Sequence, residues 1–110
     1  MARLLAAPEF KRVFEHHKRS ADAYFTVLAF RDGQGPGRIG LAISKKQVKR
    51  AVDRNRLKRL AREVFRHHRS ELSGTDLVVM ARAAAVAADN ARLNESLANL
   101  FKRLVTASPR

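Results

Sequence analysis

Basic side chains concentrate between residues 45 and 69. Eleven Lys and Arg residues stand there against two acidic ones, a net charge of +9. Guanidinium forks and ammonium groups at this density match the oxygens of phosphate groups, so their chemistry is the binding of a polyanion. The basic residues are Lys45, Lys46, Lys49, Arg50, Arg54, Arg56, Lys58, Arg59, Arg62, Arg66 and Arg69.

Arg54-Asn55-Arg56 lies at the centre of this stretch. Two phosphate-binding forks flank an amide that can hydrogen-bond a 2′-hydroxyl, a base edge or a metal-bound water. Asn is a poor helix former, so an Asn inside a helix calls for a reason. The alternative is an Asn that merely faces solvent.

Bond-breaking chemistry by the chain itself is not expected. There is no Cys, and the imidazoles are the pairs His16-His17 and His67-His68, which point about 100° apart within a helix and suit packing or phosphate contact better than zinc. A His pair could in principle serve general acid–base cleavage of RNA. The carboxylates lack metal-ligand spacing, so we predict no catalytic residue and no metal site. They include Asp53, Glu63, Asp76 and Asp89.

The whole chain is also basic, although residues 45–69 carry most of its surplus charge. Its 110 residues include 23 Lys plus Arg and 10 Asp plus Glu, a formal charge of +13 that calls for a polyanionic partner. An anionic membrane would compete with nucleic acid, but the many Arg, the absence of Trp and the lack of any apolar run near ~18 residues favour nucleic acid. The four apolar residues after Arg3 are too few for a secretory signal, which predicts a cytoplasmic protein.

Apolar spacing predicts three helices and three strands. We expect one RNA-binding domain over residues 1–110, with a frayed tail from about residue 106. Phe10, Val13, Phe14 and His17 show helical spacing. The predicted helices span residues 8–17, 47–72 and 89–105, the last with Leu93, Leu97, Leu100, Phe101 and Leu104 as its apolar stripe. The predicted strands span residues 23–31, 38–44 and 76–82.

This order predicts an α+β fold, an α/β sandwich in which helices pack on a small mixed sheet. The Gly-rich residues 32–37 predict an antiparallel hairpin of the first two strands, and the long helix predicts a parallel crossover. The third strand, almost wholly apolar, should be central, and Gly74 should cap the long helix. Ile39, Leu41 and Ile43 should face the core. The opposite face, of Gly40, Ala42 and Ser44, is shallow enough to admit a ligand.

The long helix has two chemically distinct sides. Its apolar side comprises Leu57, Leu60, Ala61, Val64, Phe65, His68 and Leu72, and its basic side comprises Asn55, Arg56, Lys58, Arg59, Arg62, Arg66 and Arg69. Charge runs usually mark a solvated face, but such faces interleave acids with bases, and here one sign dominates. Val48, Ala51 and Val52 fall on the basic side. Either the helix starts near residue 50 or its first turn packs elsewhere.

Two segments resemble the signature of the bacterial ribonuclease P protein subunit. They are Gly40-Leu-Ala-Ile-Ser-Lys-Lys46 and Ala51-Val-Asp-Arg-Asn-Arg-Leu-Lys-Arg-Leu-Ala-Arg-Glu63. Pro8-Glu9-Phe10 and Val13-Phe14 are similar to the family's first helix, and Asp76–Arg82 to its third strand. The resemblance extends from about Leu4 to Leu104.

The resemblance implies a subunit of an endoribonuclease ribonucleoprotein. Its catalytic RNA cuts the 5′ leader from precursor tRNA with Mg²⁺ held mainly by RNA, while the protein binds the leader and supports the active structure. The implied partners are the catalytic RNA and the leader, with no membrane and no obligate protein partner. The family's crossover helix is left-handed, whereas general chirality rules favour the right-handed sense.

Two sets of residues carry over by position. The set implied to contact the catalytic RNA is Lys45, Lys46, Arg50, Arg54, Asn55, Arg56, Lys58, Arg59, Arg62 and Arg66. The set implied for the leader is Phe10, Phe14, Leu28, Ala42, Ser44 and Arg82. Spacing alone would assign Phe10 and Phe14 to core packing. The chain departs from the family in having Leu28 where some members have an aromatic, and Ala7 where Ser or Thr often caps the first helix.

A second function class fits the same basic face. A structural RNA-binding protein, such as a ribosomal protein, would show it without any role in cleavage.

Overall fold

The computed structural model describes residues 3–4, 7–15, 17–31 and 35–106. The predicted frayed end lies largely outside these residues. In chain order the elements are β1 (Arg3–Leu4), α1 (Ala7–Glu15), β2 (Lys18–Ala21), β3 (Phe25–Arg31), β4 (Arg38–Leu41), α2 (Ala51–His67), β5 (Thr75–Ala81), a 3₁₀ helix (Ala83–Ala87) and α3 (Asn90–Thr106).

The strands form one mixed sheet in the order β1-β4-β5-β3-β2. β5 is central, as predicted: it runs antiparallel to β3 and parallel to β4. The parallel pairing also confirms the crossover through α2, whose handedness stays a prediction. Helices cover both faces of the sheet, so the predicted α+β sandwich is confirmed.

The predicted hairpin of the first two predicted strands is wrong. β3 and β4 do not pair, because β5 lies between them. Leu77, Val78 and Val79 on β5 are fully buried, so this strand needs neighbours on both edges and helices on both faces. The Gly-rich segment therefore connects two strands across β5 rather than turning between adjacent strands.

β2 was not predicted, because its sequence Lys-Arg-Ser-Ala has no strand signal. It pairs antiparallel with β3 through a turn that Asp22 stabilises. The Asp22 Oδ1 atom accepts hydrogen bonds from the backbone N–H groups of Tyr24 (2.8 Å) and Phe25 (3.0 Å), and its Oδ2 accepts one from the Ser96 hydroxyl. β1, which pairs parallel with β4, was also missed.

The sheet separates a large and a small apolar cluster. The large one lies under α2 and α3, where the predicted stripe of Leu93, Leu97, Leu100, Phe101 and Leu104 is buried. In the small one, Val13 of α1 packs with Leu28 and Val78 on the other face. Ile39 and Ile43 are buried on the large side as predicted, and Leu41 is half-buried there.

α2 is shorter than predicted at both ends. It begins at Ala51, so the first of the two alternatives for its start holds: Val48 is buried ahead of the helix, and Val52 is 58% exposed on it. It ends at His67, and residues 68–74 form turns. Gly74, with φ of 72°, is a turn residue before β5 rather than the helix cap.

Candidate nucleic-acid interface

The apolar side of α2 docks the helix onto the sheet. Leu57, Leu60, Ala61, Val64 and Phe65 are all buried. The basic side faces outward, with Asn55, Arg59 and Arg66 exposed and Lys58 and Arg62 half-exposed. The predicted division of the helix into two sides is therefore confirmed.

Few acids compensate this basic side. Glu63 pairs with Arg66 at 2.5 Å, and Asp53 lies 3.8 Å from Arg50. Within the part of the chain that the structure describes, Lys58, Arg59 and Arg62 form no ion pair. Their charges repel one another at short range, and a polyanion would relieve this repulsion.

Arg54 binds the backbone just ahead of its own helix. Its Nη1 donates to the carbonyl oxygens of Val48 (3.0 Å) and Lys49 (2.8 Å). These bonds hold the segment that carries Lys45, Lys46, Lys49 and Arg50, which we call the basic turn (residues 45–50). All four of its basic side chains are exposed. Within the described residues, the Nε and Nη2 atoms of Arg54 make no hydrogen bond.

Arg56 spans the distance between α2 and α3. Its Nε donates to Asn90 Oδ1 (3.0 Å), its Nη1 to the Val86 carbonyl (3.4 Å) and its Nη2 to the Ala88 carbonyl (2.6 Å). The side chain is half-buried. Sequence reasoning assigned Arg56 to RNA alone, and it missed this structural role because the acceptors lie 30 or more residues away along the chain.

A second surface lies beside α1 on the opposite face of the sheet, and we call it the Phe14 surface (Phe14, Ala42, Ser44 and Arg82). Phe10 lies directly over Gly40, where an added Cβ would come within 2.7 Å of the ring atom Cε1. Phe14 stacks on Phe10 with ring centroids 6.5 Å apart and planes 22° apart, and Phe14 is 44% exposed. Core packing therefore accounts for Phe10 in part, while much of the Phe14 ring is exposed.

Ala42, Ser44 and Arg82 are the other residues predicted for the Phe14 surface. Ala42 packs against the small cluster beside Phe10 and Met80. Ser44 and Arg82 are exposed. Gln47 joins their segments: its backbone N–H donates to Ser44 Oγ (3.2 Å), and its side-chain Oε1 accepts from the backbone N–H of Ala83 (3.1 Å).

Leu28 does not fit its predicted role. It is 4% exposed and packs with Val13 and Val78 beneath α1, so its side chain offers no surface to a nucleic-acid strand. Met80 is half-buried against the same cluster, and the sequence analysis did not assign it to this face. The alternation of side chains along β5 could have identified it, because it puts Met80 on the same face as Val78.

Two histidines cap helices. His17 Nδ1 donates to the carbonyls of Val13 and Phe14 (3.1 Å each) at the end of α1, and His68 Nδ1 donates to Val64 (2.9 Å) at the end of α2. His16 lies outside the described residues, and His67 is exposed. Over the described ranges, no group of three His, Cys or acidic side chains could hold a metal ion, and no helix could cross a membrane.

Comparison with known proteins shows the family to which this chain belongs. The ribonuclease P family model matches residues 1–105. The chain belongs to the ribonuclease P protein family. The ribonuclease P protein component of Thioalkalivibrio sulfidiphilus is 50% identical over 105 residues, which cover 94% of this chain and 87% of that protein.

Solved ribonuclease P proteins share the fold. The protein from Thermotoga maritima superposes with a TM-score of 0.81 at 32% identity, covering 94% of this chain and 97% of that one. The protein from Staphylococcus aureus gives 0.82 at 29% identity, covering 93% and 94%. As a ribonuclease P family member, the chain is part of an endoribonuclease ribonucleoprotein of tRNA 5′ processing and has an RNA subunit as its partner. The ribosomal-type alternative is not favoured.

Proposed function

We propose that this protein assists a catalytic RNA in removing the 5′ leader of precursor tRNA by holding both molecules at once. The observation that carries the proposal is the placement of two different surfaces on opposite faces of one sheet. The basic side of α2 is outward on one face, and the exposed ring of Phe14 lies on the other. The basic turn connects them, since it follows Ser44 and precedes α2.

The basic surface suits the catalytic RNA. We assign its phosphate contacts first to Lys58, Arg59 and Arg62, whose charges are uncompensated within the described residues. Lys45, Lys46 and Arg50 extend the surface along the basic turn, and Arg66 extends it along the helix although Glu63 partly neutralises it. Arg54 and Arg56 act first as supports of this surface, and Asn55 is exposed between them.

The Phe14 surface suits a single-stranded leader. Phe14 offers an aromatic face on which an unpaired base of any sequence can stack, a contact worth ~1–3 kcal/mol per base. Ala42 leaves room for the strand, while Ser44 and Arg82 provide polar and charged contacts at its end. Leu28 is not part of this site because it is buried.

We further propose that Mg²⁺ in the assembled enzyme is held mainly by RNA oxygens. The uncompensated cations of α2 would lower the repulsion between RNA phosphates and so reduce the Mg²⁺ concentration that the assembly needs. A cytoplasmic location fits this role, because the protein must encounter the RNA subunit and the precursor tRNA in the same compartment.

Cleavage at low Mg²⁺ tests the proposal. A bacterial ribonuclease P RNA and a precursor tRNA with a 5′ leader are incubated with and without the protein. We expect cleavage at the mature 5′ end only when both RNA and protein are present. No stimulation would refute the proposal and favour a purely structural binder, and cutting without the RNA would indicate a protein nuclease.

A matched pair of variants separates the two surfaces. Arg59→Ala should weaken binding to the catalytic RNA alone, whereas Lys11→Ala, which removes an exposed charge from α1 on the other face, should bind it as the wild type does. Equal losses would indicate unspecific attraction by the overall charge of +13.

A further inference from the structure

An open groove runs between α2 and the start of α3. Its volume is ≈ 550 Å³, inside the range of about 300–1,000 Å³ that ligand pockets occupy. The α2 side is formed by Val52, Asn55, Arg59 and Glu63, and the α3 side by Asn90 and Asn94. The groove lies beside the basic side of α2 but on the opposite side of the sheet from the Phe14 surface.

Arg56 organises this groove from below. Its Nε donates to Asn90 Oδ1 at 3.0 Å, which orients that amide with its oxygen toward Arg56 and leaves its NH₂ group to donate. The bonds from Arg56 to the Val86 and Ala88 carbonyls fix the backbone ahead of α3 in the same position. These three hydrogen bonds from Arg56 therefore fix the position of the start of α3 relative to α2, on either side of the groove.

Hydrogen-bonding groups of complementary kinds line the groove. Asn55 and Asn94 are exposed amides, each with a donor and an acceptor. Arg59 carries a guanidinium that has no ion pair among the described residues. The one carboxylate, Glu63, is bound by Arg66 at 2.5 Å, so its charge is compensated from outside the groove.

Val52 supplies an independent observation. Only two large hydrophobic side chains are strongly exposed in the described part of the chain, Phe14 at 44% and Val52 at 58%. Phe14 belongs to the surface proposed for the leader, and Val52 lines the groove, on a helix side that is otherwise polar. An apolar side chain there can pack against a ribose or the face of a base.

We propose that this groove binds one unpaired nucleotide of the catalytic RNA. Its phosphate pairs with Arg59, its base edge is hydrogen-bonded by Asn55 and Asn94, and its sugar or base face packs on Val52. Amide groups reach base edges in RNA when the base is unstacked, because the major groove of an A-form helix is too narrow to enter. This inference rests on the proposed function and adds α3 to the RNA-binding surface.

Asn94→Ala and Asn99→Ala form the matched test. Both residues are exposed Asn on α3, but Asn99 lies outside the groove. Binding of each variant to ribonuclease P RNA alone is measured over a range of salt concentrations. We expect Asn94→Ala to weaken binding by roughly threefold to tenfold, the value of one hydrogen bond, with an unchanged salt slope because no charge is removed. Asn99→Ala should match the wild type.

Chemical footprinting of the RNA gives a second readout. The wild type should protect one unpaired nucleotide that Asn94→Ala and Val52→Ser both leave reactive, with protection elsewhere retained. Wild-type affinity and an unchanged footprint for both variants would overturn the groove assignment while cleavage stimulation still stood. Failure of the wild type to stimulate cleavage would overturn the proposed function and this inference together.

Discussion

The guanidinium Nη2 of Arg56 donates a 2.6 Å hydrogen bond to the carbonyl oxygen of Ala88, 32 residues away. Arg56, the last residue of Arg54-Asn55-Arg56, thus links the start of α3 to α2. We predict that Arg56→Ala lowers the free energy of unfolding by about 1–3 kcal/mol, because half-buried carbonyls lose their donor. Urea denaturation followed by circular dichroism measures this loss.

Arg59→Ala is the control for this prediction. Its side chain is exposed and makes no hydrogen bond within the described residues, so stability should change by less than about 0.5 kcal/mol. Binding to the catalytic RNA should weaken, with the salt slope reduced by roughly one ion. If Arg56→Ala were as stable as Arg59→Ala, the bridging role of Arg56 would be refuted.

Phe14 and Phe10 should behave differently when each is replaced by Ala. Phe14→Ala removes an exposed ring, and we predict that the holoenzyme then loses ~1–3 kcal/mol of affinity for precursor tRNA and little for mature tRNA. Phe10→Ala removes the ring that packs over Gly40, so it should also lower the stability of the protein alone. Equal losses for precursor and mature tRNA in Phe14→Ala would favour core packing.

The sequence was most informative where periodicity and burial coincide. The two-sided pattern of α2, the stripe of α3 and the apolar run of β5 each predicted an element and its buried face, because a 3.6- or 2-residue repeat reflects one partner surface. β2 was missed because pairing to β3, rather than its own composition, makes it a strand. The wrong hairpin has the same origin, since strand order depends on long-range burial of β5.

The candidate site shows the same limit. The basic residues could be predicted from their types, but the internal bonds of Arg54 and Arg56 could not, because they depend on carbonyls that folding brings near. Leu28 was assigned by position in the family, and its burial under Val13 became visible only in three dimensions.

Gly40→Ala should be destabilising, and the penalty should depend on Phe10. The added Cβ would come within 2.7 Å of Phe10 Cε1, which forces the ring to shift and costs about 1–3 kcal/mol. In a Phe10→Ala background the space is free, so the same substitution should cost less. A double-mutant cycle in urea measures this coupling, and additive losses would show that the contact is not the cause.

Asp22 should make stability depend on pH below about pH 4. Burial alone would raise its pKa, but hydrogen bonds from Ser96, Phe25 and Tyr24 and the charge of Arg103 hold the pKa below its ordinary value. A lowered folded-state pKa means that the contribution is present above the unfolded pKa of about 3.9 and is lost as the pH falls through the folded value. Asp22→Asn should therefore cost about 1 kcal/mol at pH 7 and progressively less in acid. The control Glu95→Gln, exposed on α3, should show no such difference, and a pH-independent penalty for Asp22→Asn would contradict the role of its charge.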